Sequence, residues 1–172
     1  MITEQNCTML CDFYQLTMGN GYYNTRHADR IAYFDVFFRK VPDGGGYAVC
    51  AGLEQVINYI QGLHFTNDDI QYLRGKKIFS EGFLEYLRDF KFTGDIWAVP
   101  EGTVVFPGEP LITVRARAVE AQFIETYMLC MINHQSLIAT KASRIVRAAD
   151  GRPVSEFGSR RAQGADAAIL GA

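Results

Sequence analysis

The sequence predicts an α+β chain: helices packed with a small antiparallel sheet, then a helix–strand–helix unit of α/β character. Three observations carry this. Between Thr93 and Arg117 the apolar period is two, interrupted by Pro and Gly turns but by no helix, as in short consecutive antiparallel strands. From Glu120 to Ala149 the spacing is helical and too long for one ordinary element. Then Pro153 to Phe157 reads as a strand ending in a loop that carries Glu156, Arg160 and Arg161, with an alanine-rich helical run behind it. In α/β folds, ligands bind at that end of the strands.

With 172 residues, 48% hydrophobic and 13% aromatic, the chain can bury one sizeable core and part of a second. Its content of Leu, Ile, Val and Phe excludes global disorder. A net charge of −2 offers no general attraction to nucleic acid. From Lys141 to Arg161, however, six bases (Lys141, Arg144, Arg147, Arg152, Arg160, Arg161) face only Asp150 and Glu156, a local +4. Such a patch on an otherwise acidic chain suits a small anion. Cys7, Cys11, Cys50 and Cys130 form no CxxC pair, and reduced thiols are expected. Cys7 and Cys11 have no nearby His or further Cys to complete a metal set, so no metal site is expected there. No leader-type opening and no run of ~18 apolar residues is present, which predicts a cytoplasmic protein without a membrane partner.

Taken in order, residues 7–23 read as an amphipathic helix with Met9, Leu10, Phe13, Leu16, Thr17 and Met18 as its stripe and Tyr14 and Gln15 at the edge. Residues 31–39 alternate as a strand, Phe34, Val36 and Phe38 on one face and Tyr33, Asp35, Phe37 and Arg39 on the other. Pro42 to Gly46 is a turn leading into a second strand, Tyr47 to Cys50, so a hairpin is expected. Gly52 to Gly62 is a helix with Leu53, Val56, Ile57 and Ile60 inward. Thr66, with Asp69 three residues on, caps a short helix to about Gly75, and Ser80 to Phe90 is another. Strands follow at Asp95–Val99, Gly102–Phe106 and Leu111–Arg117, the last with Ile112, Val114 and Ala116 inward. In the long helical stretch, Asn133-His134-Gln135-Ser136 marks the expected break, and Lys141, Arg144 and Arg147 lie off the apolar face beyond it. Asp150-Gly151 closes the helix.

Several of these segments resemble the nicotinate phosphoribosyltransferase family. They are Met9 to Met18 (MLCDFYQLTM), Phe37 to Lys40 with Gly45 to Val49, Glu101 to Pro110 (EGTVVFPGEP), Asn133 to Ala142 (NHQSLIATKA) and Glu156 to Gly164 (EFGSRRAQG). They occur in the family's order along essentially the whole chain. Cys11, Phe13, His134 and Ser159 depart from the family pattern without removing a charge or a glycine.

The resemblance implies an enzyme that joins nicotinate to 5-phosphoribosyl 1-diphosphate, giving nicotinate mononucleotide and diphosphate, with ATP as co-substrate and Mg2+. It implies an N-terminal α+β domain (1–130) followed by the start of an irregular α/β barrel (131–172), and a homodimer with shared sites. Tyr14 would stack on the pyridine from the neighbouring subunit, while Phe157 and Arg160 take its other face and its polar substituent. Arg39 would reach diphosphate oxygens from the partner subunit; Arg161 is left to a second anion or to structure, and Lys141 to substrate binding or to a solvated helix face. The chemistry agrees, because a flat pyridinium sits well between two rings and its anionic groups need fixed cations. Adjacent helical residues lie about 100° apart, so Arg160 and Arg161 cannot both aim at one ligand atom. The family's phosphorylated histidine is expected beyond Ala172, so no catalytic residue is assigned and an inactive, truncated barrel is expected. The alternatives are a nicotinamide or quinolinate phosphoribosyltransferase, or a non-catalytic anion-binding or dimerisation module.

Overall fold

A computed structural model describes residues 5–25 and 27–172. In chain order it contains α1 (Phe13–Tyr23), β1 (Ile31–Phe37), a 3-10 turn (Pro42–Gly44), β2 (Ala48–Val49) and α2 (Leu53–Gly62). Next come α3 (Asn67–Gly75), α4 (Glu81–Arg88), β3 (Asp95–Ala98), β4 (Val104–Val105) and β5 (Pro110–Arg117). The chain continues through α5 (Ala118–Phe123), α6 (Glu125–Ala149), a 3-10 turn (Ser159–Arg161) and α7 (Ala165–Gly171). The class is α+β, and both sheets are antiparallel.

Strand β5 is the centre of the larger sheet, flanked by β1 and β3. Its alternation works as expected: Ile112, Val114 and Ala116 are buried while Thr113, Arg115 and Arg117 are half-buried. The expected hairpin between residues 31–39 and 47–50 does not form. β1 pairs with β5 from Ile31↔Arg117 to Val36↔Ile112, whereas β2 leaves for a separate two-stranded sheet with β4. The reason is reach. Two residues of β2 offer a short ladder, while β5 offers β1 a long one, and the 3-10 turn at Pro42–Gly44 swings the chain away.

Helix boundaries were more local. The Thr66 hydroxyl accepts from Asp69 N (3.1 Å) and Asp69 Oδ2 accepts from Thr66 N (2.8 Å), the expected capping box. Asp150 and Gly151 take left-handed φ values of 50° and 78° and stop α6 where expected. α1 starts at Phe13 rather than near residue 7, because Leu10 N bonds Cys7 O in a turn (2.9 Å). Its buried face is Gln15, Leu16 and Gly19, so of the expected stripe within α1 only Leu16 is buried; Phe13 and Met18 are exposed. Gly19 explains the rotation, since a Cβ there would stand 3.2 Å from the Phe83 ring. In α2, Val56 and Tyr59 are buried and Ile57 is exposed, so Tyr59 replaces Ile57 on the inner face and stacks on Tyr127 with centroids 4.0 Å apart.

Two larger corrections concern the second half. The helical stretch breaks at Ile124, between α5 and α6, and α6 runs unbroken through Asn133-His134-Gln135-Ser136. Those polar groups do not interrupt it. Ser136 and Thr140, 0% and 3% exposed, instead bind the neighbouring chain. Ser136 Oγ accepts from Ala51 N (3.0 Å) and donates to Ala51 O (3.1 Å). Thr140 Oγ1 accepts from Val49 N (2.8 Å). Four helix residues rise about 6 Å and two strand residues about 6.6 Å, so hydroxyls four apart on α6 meet amides two apart beside β2. The second correction is Pro153–Phe157, which is not a strand: the segment is exposed and unpaired. A strand exists only with a partner edge, and among the described residues none pairs with this segment.

Candidate functional site

The opening motif is built into the α5–α6 junction. Gln15, buried at 2% exposure, spends its whole carboxamide there. Its Nε2 donates to Gln122 O (2.9 Å) and Glu125 Oε2 (3.3 Å), and its Oε1 accepts from Asp12 N (3.1 Å) and Thr126 Oγ1 (2.9 Å). Beside it, the half-exposed Tyr14 donates its hydroxyl to the same Glu125 Oε2 (3.2 Å). Burial first, and then the Glu125 carboxylate, hold the Tyr14 hydroxyl above its ordinary pKa.

Glu125 also lines an open cleft of about 620 Å³ between β1 and α6, together with Arg39, Lys40, Phe37, Cys130 and Asn133. Glu125, which motif reading passed over, therefore bonds Tyr14 on one side and lines the cleft of Arg39 on the other. The signal that could have found Glu125 is its place as the sole acid of the apolar run 121–132.

Lys141 and Arg161 line a second cleft, of about 520 Å³, between α6 and residues 156–171, with Glu156, His134, Ser159 and Gln163. Lys141 Nζ pairs with Asp43 Oδ2 (3.2 Å) from the Gly-rich turn. His134 Nε2 is buried there without a hydrogen-bond partner among the described residues. Phe157 is 74% exposed, and Arg160 is exposed; neither lines a cleft described here. Of the candidate residues, Lys141 and Arg161 line one cleft, while Arg39 lines the other with Glu125, the partner of Tyr14. Glu125 and Lys141 are sixteen positions apart on one helix, about 24 Å at 1.5 Å per residue.

Other motif residues turn out to hold the frame. Glu101 Oε1 accepts from Gly52 N (2.6 Å) and Leu53 N (2.7 Å), capping the N-terminus of α2. Gly45 lies against the Arg144 guanidinium, which a Cβ would strike. Among the described residues, no three His, Cys, Asp or Glu groups could hold a metal ion, and no helix is long and apolar enough to cross a membrane.

Residues 9–133 match the family model described as the nicotinate phosphoribosyltransferase (NAPRTase) N-terminal domain. A nicotinate phosphoribosyltransferase of Mycobacterium tuberculosis is 47% identical over 160 residues, which are 93% of this chain and 34% of that protein. One from Bacillus subtilis is 43% identical over 169 residues, 98% of this chain and 34% of its own length. The crystal structure of human nicotinic acid phosphoribosyltransferase superposes with a TM-score of 0.84 at 36% identity, covering 94% of this chain and 33% of that one. A nicotinate-nucleotide pyrophosphorylase from Pyrococcus furiosus shares the fold, with a TM-score of 0.69 at 23% identity. The chain spans about a third of the length of the curated relatives it matches.

Proposed function

Because this chain belongs to the nicotinate phosphoribosyltransferase family, we propose that it supplies the N-terminal part of an enzyme forming nicotinate mononucleotide. In that reaction the pyridine nitrogen of nicotinate bonds C1′ of 5-phosphoribosyl 1-diphosphate and diphosphate leaves, with ATP hydrolysed alongside. The observation that carries the reading is Glu125, which links Tyr14 to the cleft that Arg39 lines. Glu125 accepts from the hydroxyl of the half-exposed Tyr14 and itself lines a cleft with Arg39 and Lys40. A flat anion is held by that combination of ring and fixed cations.

Within the proposal, Tyr14 stacks on the pyridine and Arg39 takes diphosphate oxygens. Phe157 and Arg160 take the ring and carboxylate of the nicotinate bound to the other subunit of a homodimer, and Lys141 and Arg161 hold a further anion. The roughly 24 Å along α6 between Glu125 and Lys141 supports a shared site. The Tyr14 group and the Lys141–Arg161 group sit too far apart on one helix to grip the same ring. Residues 1–130 and 131–172 would be the N-terminal domain and the first part of the α/β barrel, joined by the continuous α6. Pro153–Phe157 would become a barrel strand once a neighbouring edge is present. Mg2+ would arrive on the diphosphate and ATP oxygens, in keeping with its preference for phosphates and waters. A cytoplasmic location belongs to the same proposal.

The test is a chimera in which this chain replaces the matching third of the Bacillus subtilis relative. Formation of nicotinate mononucleotide, lost on Tyr14→Ala, is expected. A folded chimera that uses nicotinamide or quinolinate instead, or that binds nicotinate equally well with Ala at position 14, would sink the reading.

A further inference from the structure

We propose that Glu125 is a positioning residue: it ties back the Tyr14 hydroxyl, so that the face of the exposed ring, and not its O–H, is what Tyr14 offers a ligand. This rests on the reading above that Tyr14 serves the site. Tyr14 is 46% exposed, and no other ring packs on it among the described residues. An aromatic side chain with so little packing would spread over the staggered χ1 wells. Glu125 limits that freedom, because it is itself held: its Oε2 accepts from both Tyr14 Oη (3.2 Å) and Gln15 Nε2 (3.3 Å). Gln15 in turn is buried and anchored to Gln122 O (2.9 Å). Order thus passes from the core through Gln15 and Glu125 to an exposed ring.

A second consequence is chemical. The phenol proton is committed to a carboxylate, so Tyr14 has none to give a bound anion. Hydrogen bonding to the ligand is left to Arg39 and Lys40, which line the cleft with Glu125. The acids acting on the phenol are Glu125 and, more weakly, Asp12, and both oppose its ionisation.

The test uses the full chain with 3-fluorotyrosine at position 14 and reads its 19F resonance. In Glu125→Ala the docked rotamer loses its tie, and its population should fall by roughly threefold, as three wells become open. The resonance should then move toward that of a solvated tyrosine, with a lower titration midpoint. Glu125→Gln keeps an acceptor and removes the charge, so the resonance should stay in place while the midpoint falls. A resonance and midpoint unchanged in both variants would overturn the proposal. If Glu125→Ala does not fold, an unchanged midpoint in Glu125→Gln overturns it alone. No step of this test uses activity, so the outcomes separate. A ring that answers to Glu125 but not to nicotinate in the active chimera removes Tyr14's role in the proposed function and leaves the tie in place.

Discussion

Replacing Thr140 by valine keeps the volume of the side chain and removes only its hydroxyl. Thr140 is 3% exposed, and its Oγ1 accepts from Val49 N at 2.8 Å while donating to Ser136 O at 2.6 Å. The Ser136 carbonyl keeps its place in the helix ladder, so the loss falls on the Val49 amide, left without an acceptor. An orphaned buried donor costs about 1–3 kcal/mol, and Val49 is only half-buried, so about 1.5 kcal/mol is expected. Ser136→Ala strands the Ala51 N–H in the same way and removes the donor to Ala51 O, for a similar amount. Together they should cost about 3 kcal/mol, roughly 150-fold in the folded-to-unfolded ratio, less any coupling between two touching residues. The assay is equilibrium urea unfolding of the chain followed by circular dichroism, with the slope checked for constancy. Thr140→Ser keeps the hydroxyl and loses only a buried methyl, so it should cost about 0.8 kcal/mol, less than the valine. A Thr140→Val chain as stable as the parent would refute the argument that α6 is registered on the β2 segment by hydroxyl–amide bonds.

Gly52 sits at φ 104° with a would-be Cβ 2.7 Å from Met131 O, so Gly52→Ala should lower the melting temperature by more than backbone strain of about 1–2 kcal/mol alone would. Burial, and then the Asp12 charge, raise the Cys11 thiol from its ordinary 9.0 to about 11. The folded chain therefore holds that proton where the unfolded chain has lost it. Its contribution to stability is complete below pH 9 and is lost as pH rises from 9 towards about 11, and melting curves across that window should flatten in Cys11→Ala. In the chimera, Tyr14→Ala should weaken nicotinate use by roughly 1–3 kcal/mol, seen in kcat/KM. Arg160→Lys should lose on the order of 2–5 kcal/mol, with Arg161→Lys milder. Near-parent affinity for nicotinate in Arg160→Lys, by titration calorimetry, would transfer the anion role to Arg161, which lines the cleft with Lys141.

The sequence by itself determined what depends on near neighbours. The box at Thr66 and Asp69, the stop at Asp150-Gly151 and the two-residue period of β5 were all legible, because each is satisfied within a few residues of itself. The family motifs were legible as well, and so were Tyr14 and Arg39 as candidates, though not what holds them. Tertiary structure decided everything that needs a distant partner. β1 took β5 over the nearer β2 because the longer ladder satisfies more backbone groups. Gln15, polar and placed at the edge of a stripe by its spacing, became core because four groups from Asp12, Gln122, Glu125 and Thr126 meet its amide there. Ser136 was read as part of a helix break and, with Thr140 one turn on, became the dock for Ala51 and Val49. Pro153–Phe157 has the composition of a strand and lacks an edge to pair with, since composition supplies propensity and only a neighbour supplies the hydrogen bonds.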